Sequence, residues 1–592
     1  MSVTKLSSEK VYYSFLSGAN EVLGQRKVLN DINVFPVPDG DTGTNLASMM
    51  NSIIEESKVQ PSAKQTLRSI ADAALIGARG NSGIIFAQYI NGMMMSMEEE
   101  EEITIENFAK SVKRAVPFAY GAISNPIEGT MITVMKDWAD AIYNLRGTMH
   151  DFVEILQRAY EVALVSLKET TAKLKVLKDA SVVDAGAKGF VHFVEGFVKF
   201  IKTGIVDKIM KPKAEEVLAD IIDHGEESLH HRYCTEALIS GENLNPDQIK
   251  TAFLKFGDSL VVAGNDAKVR LHIHTNKPQE FFFELRKYGK IVQQKVDDMK
   301  KQYEVAHARK YKIALITDSI ADLPKEFVDD YQIHVIPMNL LIEDSNYYDK
   351  LTITSDSFYR MMDEVKVYPT TAQPNLKNME YFFSFLMSHY DEAIAITVSK
   401  QMSGTNSVFQ KAAEIIEGNK KIKIIDSKQN SGAEGLLVMM AAEEIAKGKS
   451  FEEVVETVEN LKSRTKILVS VKTLKYMVRS GRVSKVTGIV GKILNLKPVI
   501  SIDSEGKGII QDKAFSLKGN TRKIRKLIER VVKEKGIERY AIVHANSISR
   551  ANHYENIFTK IIGMKPNYKM DISPIVAMSA GIGTVAIAFV SK

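Results

Sequence analysis

Cysteine is nearly absent. Cys234 is the only one in 592 residues, so no disulfide can form within the chain. An excess of charge of one sign is also missing: 78 Lys plus Arg against 73 Asp plus Glu leave a net charge of +5. No dense basic stripe accompanies it, which gives no support to nucleic-acid binding. Long apolar runs are missing as well. The longest, "PIVAMSAGIGTVAIAFV" from Pro574 to Val590, carries Gly581 and Gly583 in its middle. It is shorter than the roughly 20 residues a spanning helix needs. It reads as a strand, a glycine turn and a buried strand. The opening "MSVTKLSSEK" lacks the apolar core of a secretory signal. No repeat of solenoid period is visible. These absences lead to the expectation of a cytoplasmic protein with no transmembrane segment.

What is there is an ordinary globular balance, 45% hydrophobic and 26% charged residues. The length exceeds what one core serves and suggests about three domains. To about Gly204 the pattern is helical, with apolar residues three and four apart in "TIENFAKSVKRAVPFAYGAI" and "MHDFVEILQRAYEVALVSLKET". The acidic run Glu98 to Glu102 reads as a solvated loop or helix end. "KTGIVDKIMKPKAEEVLADIIDHGEESLH" reads as a connector. A small mixed segment follows, in which "YCTEALIS" and "KVRLHIHTN" are strands around the helix "NPDQIKTAFLKFG". Beyond "HARK", short apolar strands alternate with helices: "YKIALITDS", "IHVIPMNLL", "EAIAITVS", "IKIIDS", "KILVSV" and "RYAIVHA". That rhythm predicts an α/β region. The expected domains are residues 1–205, 206–306 and 310–592.

Three places carry chemistry. In "NVFPVPDGDTGTN", Asp39 and Asp41 flank Gly40, so a tight turn can aim two carboxylates at one point. Paired carboxylates beside hydroxyls and amides suit Mg²⁺. Thr42, Thr44 and Asn45 open a helix whose free N–H groups can meet phosphate. A plain turn with an N-cap is the alternative. "GARGNSG" (77–83), "NPIEGTM" (125–131) and "VVDAGAKG" (182–189) repeat the arrangement of glycine and helix start. Second, His272 and His274 lie two apart on a strand and face the same side. With Cys234 on another strand they form a tetrahedral Zn²⁺ set with one open position. The alternative is a buried free cysteine near two half-buried histidines. Third, "SKQMSGTNS" is a helix N-cap in its plainest reading.

Residues 5–203 resemble the DhaL family, the nucleotide-binding subunit of dihydroxyacetone kinases, on the strength of "DGDTGTN", "GARGNSG", "NPIEGTM" and "VVDAGAKG". The resemblance implies an all-α eight-helix barrel holding ATP through Mg²⁺ on clustered aspartates. Asp39 and Asp41 sit at the family's metal-binding motif. The family's third aspartate lies a few residues upstream, where "DINVFPVP" offers Asn33 or Asp31. Thr44, Asn45, Ser82, Gly83, Gly129, Thr130 and Asp184 fall at family positions near the nucleotide. Residues 225–305, through "YCTE" and "HIHTN", resemble the middle domain of bacterial fatty acid kinases. That implies a Cys234/His272/His274 site, with zinc binding, phosphate relay and interface ordering all open.

The last 280 or so residues resemble the DegV family of fatty-acid-binding proteins, through "ITDSIADLP", "PTTAQPN", "SKQMSGTNS", "IDSKQNSGAEG" and "LKYMVRSGRVSK". A two-lobed α/β domain with an apolar tunnel is implied. Thr371, Ser403, Gly404 and Arg482 match positions around the acyl carboxylate. Ser579 stands where the family usually carries a histidine, which removes one head-group contact. Together these resemblances imply a fatty acid kinase fused to its own carrier. It would make acyl phosphate for phospholipid synthesis and act with an acyl-phosphate-accepting acyltransferase, as a homodimer with transient membrane-surface contact. A dihydroxyacetone-type kinase and a non-enzymatic, nucleotide-responsive lipid-binding protein are the alternatives.

Overall fold

A computed structural model of the chain describes residues 2–35, 40–206, 230–362, 364–416, 420–481 and 496–592. It divides into two compact units, Met1–Tyr303 and Glu304–Lys592. The connector expected after Gly204 falls largely outside the described residues, as do Asp39 and Arg482.

The first unit opens with helices α1 (Ser8–Gly24), α2 (Arg26–Asp31), α3 (Thr42–Glu56), α4 (Ala63–Gly77) and α5 (Gly80–Ser96). It continues with α6 (Ile105–Ala122), α7 (Met131–Leu145), α8 (Phe152–Lys173), α9 (Lys175–Ala180) and α10 (Ala185–Thr203). Two of these, α2 and α9, have only six residues, so the long helices of this stretch, among the described residues, number the eight the resemblance implies. Two short strands, β1 (Lys5–Leu6) and β2 (Ile103–Thr104), pair antiparallel beside them. Periodicity decides which faces are buried: in α6, Ile105, Phe108, Ala109, Val112, Ala115, Val116 and Ala119 all point inward. The centre is aromatic, with Phe86 edge-on to Phe190 and Phe193 at centroid separations of 5.5 and 5.0 Å. Glu98 to Glu102 form the loop read from the sequence.

The same unit includes a four-stranded antiparallel sheet in the order β4 (Asp258–Gly264), β5 (Lys268–Thr275), β3 (Tyr233–Ser240), β6 (Lys290–Asp298). Its register sets Cys234 opposite His274 and Glu236 opposite His272. The sheet is tied to the helices by polar contacts. Gln88 Oε1 accepts from Gly264 N at 2.8 Å, Asn91 Nδ2 donates to Gly264 O at 2.9 Å, and Ser124 Oγ donates to Leu260 O at 2.8 Å.

The second unit holds three sheets among the described residues. An all-parallel sheet runs β13 (Lys421–Asp426), β12 (Glu392–Thr397), β7 (Ile313–Asp318), β8 (His334–Ile336). A small antiparallel sheet joins β10 (Ser345–Tyr348), β9 (Asn339–Ile342) and β11 (Thr370–Ala372). A mixed sheet runs β16 (Gly508–Asp512), β15 (Val499–Ile502), β14 (Thr465–Ser470), β19 (Val585–Ser591), β17 (Ile537–His544), β18 (Tyr568–Asp571). This is the α/β organisation expected. Two details differ from the sequence reading. "IHVIPMNLL" is two strands in different sheets, because Pro337 between them has no N–H to continue a ladder. "PIVAMSA" is a helix, Pro574–Ala580, and not a strand: Ser573 Oγ caps it by accepting from Val576 N at 3.2 Å, and Pro574 occupies the first turn.

Candidate functional site

Most helices of the first unit that open away from the glycine turns begin on a side-chain cap. Ser7, Ser62, Thr104 and Asp151 each accept a backbone N–H in the first turn of α1, α4, α6 and α8. The helices that follow the glycine turns differ. The N-cap residues of α3, α5 and α7 are Asp41, Arg79 and Thr130, and none caps its helix with its own side chain. Those N-terminal turns meet. A Cβ on Gly80 would collide with the Asn45 amide, and Gly80 has φ +56°, so only glycine suits the position. A Cβ on Gly186 would lie 3.2 Å from Ser82 Oγ, 3.4 Å from Asp184 Oδ1 and 3.5 Å from Met131 Cβ. The starts of α3, α5, α7 and α10 therefore converge at one end of the helices. All of the predicted nucleotide positions (Thr44, Asn45, Ser82, Gly83, Gly129, Thr130 and Asp184) lie on these turns.

Asp184 is the one side-chain cap in this group, accepting from Ala187 N at 2.7 Å. Burial pushes its carboxyl up to about 6. The turn into α3 is braced from behind: Asn30 Oδ1 accepts from Thr44 N at 3.0 Å, and Asn33 Oδ1 accepts from Thr42 N at 3.1 Å and from the Thr42 hydroxyl. Gly40 has φ +63°, the bend read from the sequence. Asn33 thus holds the start of α3, and Asp31 is exposed at the end of α2. Asp41 stands at the N-cap of α3; its partner Asp39 is not among the described residues. A glycine cradle, open helix N-termini and an aspartate in one place fit a magnesium nucleotide.

The β3–β5 sheet face brings the second predicted site to the same place. One ligand atom each from Cys234, His272 and His274 lies within 4.8 Å of the others. Cys234 Sγ is 3.9 Å from His272 Nδ1, and the two rings are 5.1 Å apart. Burial, Glu236, Asp297 and Asp41 push the Cys234 thiol well up, and Lys295 opposes them. As the chain stands, Cys234 is a thiol and not a thiolate, so it is a poor phosphate-accepting nucleophile. Acidic surroundings around Cys and His ligands suit a cation such as Zn²⁺.

Two residues the sequence reading left out organise this junction. Glu236 and Arg270 are both buried and their side chains meet at 3.1 Å. The other Glu236 oxygen accepts from Gly80 N at 2.8 Å, which puts a strand residue on the first N–H of α5. Burial alone would raise Glu236, but His272, Lys295 and Arg270 outweigh it and hold the carboxyl well below the usual range. The signal was available: Glu236 is two residues from Cys234 and Arg270 two from His272, hence on the same strand faces.

In the second unit a cavity of about 630 Å³ is walled by Ile320, Met338, Val398, Ile467, Val469, Ile500, Val543 and Ala586, with hydroxyls from Thr371, Ser403, Ser501 and Ser579. It opens beyond the C-terminal ends of β7 and β12, where strand order reverses direction, the usual ligand crevice of an open α/β sheet. Ser403 is not the helix N-cap; Gly404 is, and Ser403 Oγ lies 2.8 Å from Thr405 Oγ1. Gly404 does not line the cavity: its missing side chain makes room for the Gln373 amide. Arg482 lies outside the described residues. Among those residues no helix is long and apolar enough to cross a membrane.

Comparison with known proteins agrees with this layout. Residues 36–199 match the DAK2 domain, residues 230–306 the FakA-like middle domain of fatty acid kinase, and residues 312–592 the DegV family. An uncharacterized Staphylococcus epidermidis protein is 33% identical over 347 residues, 54% of this chain and 62% of that protein, so the match spans less than two thirds of it. An uncharacterized Staphylococcus aureus protein is 29% identical over 451 residues, 72% of this chain and 81% of that one. Among solved structures, DegV, a fatty acid binding protein from Bacillus subtilis, is 26% identical. It aligns over 48% of this chain and 100% of its own with a TM-score of 0.44. A DegV family protein from Thermus thermophilus is 23% identical with the same coverage and TM-score. The chain carries, in order, a DAK2 domain, a FakA-like fatty acid kinase middle domain and a DegV-family domain.

Proposed function

We propose that the chain is an ATP-dependent fatty acid kinase that phosphorylates the carboxylate of a fatty acid held in its own C-terminal unit. The observation that carries this reading is the pairing, on one chain, of converging helix N-termini around Asp41 with an apolar cavity bearing hydroxyls. The products are ADP and acyl phosphate. A carboxylate with pKa near about 4–5 is already ionised at neutral pH and needs no general base. Its oxygen attacks the γ-phosphorus, and the bond to the β-phosphate oxygen breaks with its electron pair leaving on ADP. What the chain must supply is position and charge.

Asp41, with Asp39, would hold Mg²⁺, whose charge when bound offsets that of the phosphates. The turns at Asn45, Ser82, Gly83, Gly129, Thr130 and Asp184 would seat the nucleotide. Cys234, His272 and His274 would hold Zn²⁺, for which the Cys234 thiol would give up its proton; the carboxylates around it favour a cation over a phosphate. Thr371, Ser403 and Ser579, with Arg482, would orient the carboxylate. Acyl phosphate is a reactive anhydride, so an acyltransferase that accepts it is the partner this chemistry calls for. A cytoplasmic homodimer is part of the same proposal.

Incubation of the purified chain with ATP, Mg²⁺, a fatty acid and hydroxylamine tests it: acyl hydroxamate and ADP should form in equal amounts. Asp41→Ala should lower that rate by about 100-fold or more. Lipid found in the purified protein with no hydroxamate formed would favour the non-enzymatic reading, in which Ser579 in place of the family's histidine has disabled transfer. Absence of lipid with phosphorylation of dihydroxyacetone would favour the small-molecule kinase.

A further inference from the structure

Helices α1 and α10 pack backbone to backbone. A Cβ on Gly18 would lie 2.7 Å from Phe193 O, and one on Gly196 would overlap Ser17 O. This close approach sets Glu21, one turn beyond Gly18, beside His192 and Glu195, which lie one turn apart on α10. A ring nitrogen of His192 and one carboxylate oxygen from each glutamate all lie within 4.8 Å of one another. His192 Nδ1 is 3.1 Å from Glu195 Oε2. Two donors on one tetrahedral ion, with bonds of about 2.0–2.1 Å, stand about 3.3 Å apart.

Among the described residues neither Glu21 nor Glu195 is ion-paired with Lys or Arg. Tyr160 of α8 faces both carboxylates, and its phenol is raised by burial and then by Glu195 and Glu21. The His192 side chain is 17% exposed, and its Nε2 is buried with no hydrogen-bond partner among the described residues. The two helices thus bring one ring nitrogen and two carboxylate oxygens to one point. One nitrogen and two oxygens suit a first-row transition ion better than Ca²⁺ or Mg²⁺, which favour all-oxygen sets.

We propose that Glu21, His192 and Glu195 bind a divalent first-row transition metal that clamps α1 to α10. The site is separate from the nucleotide end: His192 lies about 12 Å along α10 from Asp184, at about 1.5 Å per residue. A clamp here would hold the helix that carries Asp184 and Gly186.

The test uses Zn²⁺ and the full chain stripped with chelator, in a Cys234→Ser background that removes the sulfur ligand from the Cys234, His272 and His274 cluster. Calorimetric titration should show one zinc equivalent retained in that background. His192→Ala and Glu21→Gln should each weaken it by about 10-fold or more, with circular dichroism confirming the fold. Glu21→Gln, at a partly exposed position, keeps the test valid if His192→Ala fails to fold. Co²⁺ in its place should give visible ligand-field bands with no thiolate charge-transfer band, and these bands should vanish in Glu21→Gln. No zinc uptake by the Cys234→Ser chain, or unchanged titrations in both variants, would overturn the proposal.

Discussion

Each unit of the molecule buries a glutamate completely, and the two are treated in opposite ways. Glu236 sits among Arg270, Lys295 and His272, donates nothing, accepts from Gly80 N, and is held ionised. Glu434, in the first turn of the helix Ser431–Ala446, has no hydrogen-bond partner on either oxygen among the described residues. Burial first, then the neighbouring Asp318 and Asp322, raise its carboxyl well above the usual value, so it is held neutral. The difference teaches that burial does not decide charge; partners do. Where the chain needs a fixed negative charge beside a glycine turn, it supplies cations. Around Glu434, burial and two aspartates outweigh Lys350.

The largest break in this comparison is Glu236→Ala. It would leave Arg270 buried without its partner and Gly80 N without an acceptor. Loss of one member of a buried pair costs about 3–5 kcal/mol. Trp138, the chain's only tryptophan, is buried in the first unit and reports that unit's unfolding by fluorescence in urea. A loss below about 1 kcal/mol would mean that the pair is not structurally coupled to the glycine turn. Next in size is Gly80→Ala. A positive φ and a collision with Asn45 predict strain of about 1–3 kcal/mol, read as weaker binding of a fluorescent ATP analogue. Unchanged binding would show that this turn does not touch the nucleotide.

On the other side of the comparison, Thr371→Val with Ser403→Ala removes two hydroxyls from the cavity wall and leaves its apolar lining intact. Each hydrogen bond to a charged group contributes about 1.5–3 kcal/mol. Fatty acid affinity should therefore fall by at least about 10-fold, as followed by displacement of a fluorescent acyl probe. Equal affinity would place the carboxylate elsewhere.

How much of this was legible in the chain depends on range. Local signals read well. Gly40 between two aspartates did mark a bend, and the two-residue spacing of His272 and His274 did put both rings on one face. Ser573–Pro574 was a helix start that apolar composition disguised as a strand, because a short buried run carries no period. What could not be read was convergence. Asp41 and Cys234 are far apart in sequence, and only the packing of β3 against the start of α5 brings them near enough for one charge to act on the other. Nor does any local pattern say that Gly404 makes room for Gln373 instead of a ligand.

The smallest expected effect is the sharpest test of the contrast between the glutamates. Glu434→Gln replaces a neutral carboxyl by a neutral amide of the same shape, so stability at pH 5 should change by less than about 1 kcal/mol. The pH dependence should change more. A carboxyl raised in the folded state adds stability that is fully present below its unfolded value of 4.5 and is lost as pH rises through the folded value. Asp318, raised to about 6, and Asp349, raised to about 7, slope the same way. Glu236 has the opposite sign: its contribution is present above 4.5 and is lost only as pH falls through its depressed folded value. Hydrogen exchange of Ser431–Ala446 between pH 5 and 8, corrected for intrinsic rates, should show protection falling with pH in the parent and falling less in Glu434→Gln. Equal slopes would mean that Glu434 is ionised in the folded chain, and that an unpartnered buried carboxylate survives there without the cations that Glu236 requires.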